Sequence, residues 1–210
     1  MTDEPDLDSA YNLDGPEDSK RLYKDWALSY DADFASERMY LLPAKVAEVF
    51  AGHASEDDAP VLDVGAGTGL VAEALLGHGS WPIDGLDISP EMLAVARDRG
   101  LYGELLEVDL TQPIGLRRGR WGGIVSSGTF THGHLGADVL LGLLDLVRPG
   151  GLFVVSINVE HFEDQGFAGV FEEMEQFITE PIFVETPIYG AEIGDEHDGD
   201  TAFIGVWRRR

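Results

Sequence analysis

The chain contains no cysteine. That removes a disulfide framework, a thiolate zinc site and a cysteine nucleophile. Lysine is nearly absent too: three Lys and 11 Arg stand against 21 Asp and 18 Glu, for a formal net charge of -25. A polyanion is held largely by Lys and Arg that release its counterions, and a field of this sign repels it. Nucleic acid is therefore not expected as a partner, and a small-molecule substrate is. No segment approaches the roughly 20 consecutive apolar residues that span a bilayer, so no membrane partner is expected. The stretch Met1-Thr2-Asp3-Glu4-Pro5-Asp6 has neither the positive leader nor the apolar core of a secretory signal. The expected location is the cytoplasm. No His, Asp or Glu set falls at a recognisable ligand spacing, so no metal is expected. Oligomeric state is not encoded in any legible way.

What is present is enough for one domain. At 210 residues and 44% apolar content, the chain should bury about 70% of its unfolded surface without staples. Residues 1–18 carry seven acidic side chains, two prolines and no basic residue, and read as a mobile arm. The rest, 19–210, reads as one domain: an N-terminal helical lid (19–59), a central core (60–160), and a helix with a C-terminal hairpin (161–210). Within the core, short apolar runs alternate with helical patterns. Val61–Val64, Ile83–Leu86, Leu105–Val108, Gly123–Ser126 and Leu152–Ile157 are the strands. Helices follow from Leu70, from Ser89-Pro90-Glu91 and from about Ala137. Apolar rather than alternating strands, each followed by a helix, predict an α/β fold with a doubly wound parallel sheet covered on both faces. Ile182–Tyr189 and Ala202–Trp207 add an antiparallel hairpin at one edge.

The sharpest chemical signal is Val61-Leu62-Asp63-Val64-Gly65-Ala66-Gly67-Thr68-Gly69. A strand enters a glycine turn that opens a helix, and glycines let a ligand approach the backbone with no Cβ in the way. The spacing is Gly-x-Gly-x-Gly, not the dinucleotide Gly-x-Gly-x-x-Gly. Asp63 just before the turn would repel a pyrophosphate but attract an ammonium. Asp87 ends the second strand, 20 residues after Gly67, where a carboxylate accepts from both ribose hydroxyls. Asp109 closes the third strand. Ligands of open parallel sheets sit beyond the carboxyl ends of the strands, so the three carboxylates should face one crevice. They suit a cationic sulfonium bearing an amino-acid tail, a ribose and an adenine.

These residues resemble the class I S-adenosylmethionine-dependent methyltransferases. Val61–Gly69 is similar to the first motif of that family, Leu86–Leu93 to the second, Glu107-Val108-Asp109-Leu110 to the third, and Val147–Leu152 to the turn before the fifth strand. Tyr23–Asp31, with Ser89–Leu93 and Arg99-Gly100-Leu101-Tyr102, is similar to the Williams–Beuren syndrome region methyltransferase-like proteins. The resemblance implies a seven-stranded Rossmann-like sheet of order 3-2-1-4-5-7-6 with the last strand antiparallel. It implies S-adenosylmethionine as cofactor and S-adenosylhomocysteine as product. The implied cofactor contacts are Gly65, Ala66, Gly67, Thr68 and Gly69 beneath it, Asp63 near its amino group, Asp87 on the ribose, Ile88 and Met92 beside the adenine, Asp109 and Leu110 at the adenine amino end, and Ser126 at the top of the fourth strand.

On the acceptor side, Ser126–His134 follows the fourth strand and should line the crevice near the reactive methyl. It lacks the Asn-Pro-Pro-Tyr type of signature that favours a planar amino group. Imidazole titrates near neutrality, which makes His132 or His134 a candidate general base, with His132 put first. Thr129, His132, His134, His161 and Phe167 are the candidate acceptor contacts. Tyr23, Trp26 and Tyr30 fall at i, i+3 and i+7, one helix face, and Tyr23 and Tyr30 are expected to close over the cofactor. The expected reaction is direct displacement of the sulfonium methyl by a small-molecule acceptor. A nicotinamide-dependent oxidoreductase, or a protein that holds the cofactor without turnover, are the alternatives.

Abundant Asp with scarce Lys also matches a chain adapted to high salt, where self-repulsion is screened. On that reading the unfolding midpoint rises from low to molar salt in a thermal melt. A flat or falling midpoint removes it.

Overall fold

Val61, Leu62 and Val64 are apolar and fully buried, as a strand covered on both faces requires. They form β1 (Val61–Val64) at the centre of the sheet. A computed structural model describes residues 15–27, 39–190 and 197–210. The elements follow in the order α1 (Pro16–Trp26), α2 (Leu42–His53), β1, α3 (Leu70–Leu76), β2 (Ile83–Asp87), α4 (Pro90–Arg99), β3 (Leu105–Glu107), β4 (Trp121–Phe130), α5 (Val139–Leu146), β5 (Val147–Asn158), α6 (Val159–Asp164), α7 (Phe167–Met174), β6 (Ile182–Pro187) and β7 (Thr201–Arg208). Seven strands pair in the order β3-β2-β1-β4-β5-β7-β6. Those from β3 to β5 are parallel, and β7 runs antiparallel to both β5 and β6. This is the expected topology.

Each face of the sheet buries its own cluster. On one, Val46 and Phe50 of α2 and Ala72 and Leu75 of α3 pack on Val61, Val125 and Val154. On the other, Leu140, Leu143 and Leu144 of α5 and Phe167, Phe171 and Met174 of α7 pack on Leu62, Ile124, Phe153 and Trp207. Among the described residues no helix is long and apolar enough to cross a membrane.

Four local departures from expectation have physical causes. Helix α1 starts at Pro16, inside the stretch expected to be an arm; proline at a first helical position gives up no needed N–H. Residues 1–14 and Tyr30 lie outside the described residues. Strand β4 runs on to Phe130, with a register shift against β5 between Ser126 and Phe130. Residues 127–129, expected as a loop, are thus a bulge that re-aims the strand end. Likewise Arg148-Pro149-Gly150-Gly151, expected as a turn, is a second irregularity inside β5: Val147 pairs with Trp121, and pairing resumes at Leu152 with Gly123. Helix α6 was not expected; it starts where Asn158 Oδ1 accepts from the His161 amide.

The arginines gather at the sheet end opposite the glycine turn. Arg120, Arg208 and Arg209 there are partly buried ties. Arg208 donates to both oxygens of buried Asp58 at 2.7 and 3.2 Å, and to the carbonyls of Gly150 and His53. Arg209 donates to the Leu144 and Val147 carbonyls. Arg120 stacks 4.7 Å above the Trp121 ring and pairs with Asp84, which also accepts from the Trp121 indole N–H. Burial alone would raise the Asp58 pKa; the Arg208 guanidinium and the Ser55 amide and hydroxyl outweigh it and hold it below the usual carboxylate range.

Removing one partner of a buried ion pair strands the other charge, at a cost of about 3 kcal/mol. Arg208→Ala is therefore expected to lose roughly that much in urea unfolding at neutral pH. The loss should shrink as pH falls below about 4, because a carboxyl with a lowered folded pKa contributes its stability above the unfolded pKa and forfeits it on protonation.

Candidate active site

The glycine turn is stitched to the end of β2. The amides of Gly65 and Ala66 both donate to the Leu86 carbonyl at 2.9 Å, and the Gly67 amide donates to Asp87 Oδ2 at 2.8 Å. Asp87 Oδ1 accepts from the Ser89 amide at 2.8 Å, just where Ser89 Oγ caps α4. One carboxylate thus holds the turn and the next helix start in register. Burial pushes its pKa up, against the pull of those amides.

Gly65 has no tolerable substitute. Its φ is +69°, and an added Cβ would lie 2.1 Å from Thr129 Oγ1. That hydroxyl donates to the Val64 carbonyl at 3.0 Å, and Ser126 Oγ donates to the same oxygen at 2.7 Å. The β4 bulge is thereby pressed against the glycine turn.

Above these elements opens a cleft of about 1020 Å³, its solvent-filled mouth included. Of the residues expected to touch a cofactor, Tyr23, Gly65, Ala66, Gly67, Thr68, Asp87, Ile88, Met92, Asp109 and Leu110 line it. Of those expected on the acceptor side, Thr129 and His134 do. Asp109 Oδ1 is engaged by the amide and hydroxyl of Thr111 at 2.9 and 2.7 Å, which fixes the side chain at the cleft edge.

The remaining expected residues do not line the cleft. Asp63 is completely buried behind the turn and not on the cleft wall. Ser126 is buried with its hydroxyl spent on Val64. Gly69 opens α3 outside the lining. His132, the candidate base, packs edge-on against His161 at 5.5 Å and offers its carbonyl, not its ring, to His134. His161 is buried and donates from Nε2 to the Leu135 carbonyl at 2.8 Å, so it supports the cleft wall from behind. Phe167 is fully buried between Phe130 and Phe162. Ser126, His161 and Phe167 thus found backbone partners or aromatic neighbours on the core side of their elements.

Sequence reasoning missed Tyr40, and it placed Ser127 and Gly128 at the cleft only as part of the stretch Ser126–His134. Tyr40 forms a bridge with Tyr189, which seats it in the lining with its hydroxyl 3.3 Å from Ser127 Oγ. Burial raises its pKa to about 12. The bulge that presents Ser127 and Gly128 has no periodicity signal.

A polar pair crosses the cleft. His134 Nδ1 lies 2.9 Å from the His132 carbonyl, so that nitrogen carries the proton. Nε2 is then the acceptor for the Tyr23 hydroxyl at 2.8 Å. Burial lowers the His134 pKa and keeps the ring neutral.

The cleft fits a sulfonium nucleoside. Glycines floor it, Ile88, Met92 and Leu110 offer apolar walls to a planar ring, and two carboxylates face it with no Lys or Arg among the described lining residues. Behind the turn, Asp63 Oδ1 is buried with no hydrogen-bond partner among the described residues. Residues 61–151 match the methyltransferase domain family. Over that span the chain is similar to the class I S-adenosylmethionine-dependent methyltransferases. The cofactor of this family is S-adenosylmethionine. Human methyltransferase-like protein 27 is 33% identical over 134 residues, 62% of this chain and 54% of the relative; the chain thus spans about half the length of that protein. This match is in keeping with the narrower resemblance to the Williams–Beuren region proteins. An 18S rRNA (guanine-N(7))-methyltransferase of Arabidopsis thaliana is 47% identical over 73 residues, 34% of this chain and 25% of that protein. In fold, an S-adenosylmethionine-dependent methyltransferase of Aquifex aeolicus superposes with a TM-score of 0.60 at 16% identity, covering 88% of this chain and 98% of that one.

The rRNA-modifying relative overturns the expectation that nucleic acid is excluded. The reasoning from net charge fails for a physical reason. Counterion release is local to each phosphate contact, and exposed charges beyond about 10 Å are screened, so a sum over the whole chain does not decide the matter.

The ribose contact expected of Asp87 is checked by calorimetry with S-adenosylhomocysteine. Hydrogen bonds to a charged acceptor are worth about 1.5–3 kcal/mol, so Asp87→Ala is expected to weaken binding at least about tenfold. Unchanged affinity removes the contact.

Proposed function

We propose that the protein transfers the methyl group of S-adenosylmethionine to a neutral nucleophile whose proton is taken by the Tyr23–His134 pair. The observation that carries this reading is the hydrogen bond from the Tyr23 hydroxyl to His134 Nε2 across a cleft floored by the glycine turn. The bound cofactor supplies an activated methyl group; the chain supplies position, a sheltered site and a proton acceptor.

Gly65, Gly67, Asp87 and Asp109 are assigned to hold the nucleoside, with Ile88, Met92 and Leu110 against its base. Thr129, Ser127 and Tyr40 shape the wall where the acceptor enters. As the acceptor attacks, its proton passes to Tyr23 Oη, and the Tyr23 proton passes to His134 Nε2. The imidazolium that forms keeps its Nδ1–H on the His132 carbonyl. The carbon–sulfur bond breaks as the new bond to carbon forms, and the proton released from the acceptor ends on His134.

The acceptor is tested as a class. The small-molecule reading drew on net charge, and that support is gone. Turnover is therefore measured with a metabolite panel and with structured RNA, following S-adenosylhomocysteine release in both arms.

General-base assistance is worth about 10²–10⁴ in rate. His134→Ala and Tyr23→Phe are each expected to lower kcat about 100-fold, with His132→Ala far milder. The kcat profile of the wild type should rise as His134 loses its proton, with a midpoint below the ordinary histidine value because burial disfavours the cation, and then level off. A flat profile, or full activity in His134→Ala, removes the base.

A further inference from the structure

Tyr102 lies outside the cleft lining, yet the fold makes room for its ring twice over. A Cβ on Gly85 of β2 would come within 2.9 Å of Tyr102 Cε1, and one on Gly69 within 3.3 Å of Cε2. The ring shares the space left by the two glycines with Leu105 at Gly85 and with Arg99 at Gly69, and it reaches back from the segment after α4 to the glycine turn. There the Tyr102 hydroxyl donates to Asp63 Oδ2 at 2.7 Å. Asp63 sits fully buried on β1, between Gly85 and Val125 in the sheet register. Its second oxygen has no partner among the described residues. A buried carboxylate oxygen left without a donor is costly, and its persistence beside a ligand cleft points to a donor that arrives with the ligand.

We infer that Tyr102 is a positioning residue for cofactor binding: it fixes the Asp63 carboxylate so that the remaining oxygen is held for the ammonium group of the cofactor's amino-acid tail, directly or through one water. This rests on the methyltransferase reading above. The charged groups around Asp63 are few. Asp87 faces it from the end of β2, and Arg99 on α4, paired with Glu73 of α3, acts on Tyr102. Burial pushes the Asp63 carboxyl up to about 7; the Tyr102 hydroxyl draws it down and the Asp87 charge raises it. Tyr102 is itself held protonated, by burial first and then by the Asp63 charge, so it stays a donor. Without that hydroxyl the downward pull is lost, and Asp63 is more fully protonated near neutrality. A protonated carboxyl attracts an ammonium weakly, so the defect should ease as pH rises.

The test is calorimetry on the full chain with two ligands. S-Adenosylhomocysteine carries the amino-acid tail, and 5′-methylthioadenosine lacks it. Tyr102→Phe is expected to weaken the first about tenfold near pH 7, the size of one charge-assisted hydrogen bond, and to leave the second unchanged. The loss should narrow toward pH about 8.5, as the higher carboxyl pKa is passed. Asp63→Asn should show the same selective loss without the pH dependence, and adding Tyr102→Phe to it should cost nothing more. Equal weakening of both ligands by Tyr102→Phe means a merely structural residue and overturns the inference, as does unchanged affinity for S-adenosylhomocysteine. Should Tyr102→Phe fail to fold, Asp63→Asn alone decides, since non-selective or absent loss there also overturns it. Failure of the wild type to bind S-adenosylhomocysteine would strike the underlying methyltransferase reading instead.

Discussion

The carbonyl oxygen of Val64 joins the two walls of the site. It accepts from Ser126 Oγ at 2.7 Å and from Thr129 Oγ1 at 3.0 Å. Both hydroxyls come from β4, Ser126 just before the bulge and Thr129 within it, so the end of β1 and the bulged strand are tied together. Thr129 then occupies the space a side chain at position 65 would need. The glycine turn, the acceptor wall and the stagger between them follow from this one contact. From the other side, the turn is anchored by the Leu86 carbonyl and Asp87. A loop rich in glycine is entropically expensive to order; here five hydrogen bonds from two neighbouring strands do the ordering before any ligand arrives.

Much of this was legible in the residues. The doubly wound parallel sheet followed from apolar runs alternating with helices, because a sheet buried on both faces leaves that signature; its strand order came only from the resemblance to the methyltransferases. Asp87 and Asp109 were found by their place at strand ends. Gly65 and Gly67 were found by spacing. What stayed hidden was orientation around each element. His132 and His134 are two residues apart and equally plausible on paper, yet one faces His161 and the other Tyr23. The difference is set by the bulge and by a carbonyl acceptor, neither of which has a composition signal. Tyr40 was missed because its bridge to Tyr189 pairs residues far apart in the chain. Phe167 was placed near the pocket and lies in the core, where an aromatic on a helix stripe most often belongs.

The acidity of the chain deserves a second reading in the light of the fold. Four of its 11 arginines, Arg120, Arg148, Arg208 and Arg209, are engaged by backbone carbonyls or by buried Asp58 and Asp84. Those four of the 14 basic side chains serve internal cross-links. Net charge therefore reports how the molecule is assembled as much as what it meets, which is why it misjudged nucleic acid.

These arginine ties sit at one end of the sheet and the cleft at the other, some four to five residues of strand away. The molecule is in that sense divided into a foundation and a workshop. Mutational drift at the foundation would register as altered folding yield or heat tolerance while leaving catalytic constants alone. Drift in the workshop would remodel acceptor choice on an unchanged chassis. A lineage built this way is free to explore new substrates without first re-solving the problem of standing upright.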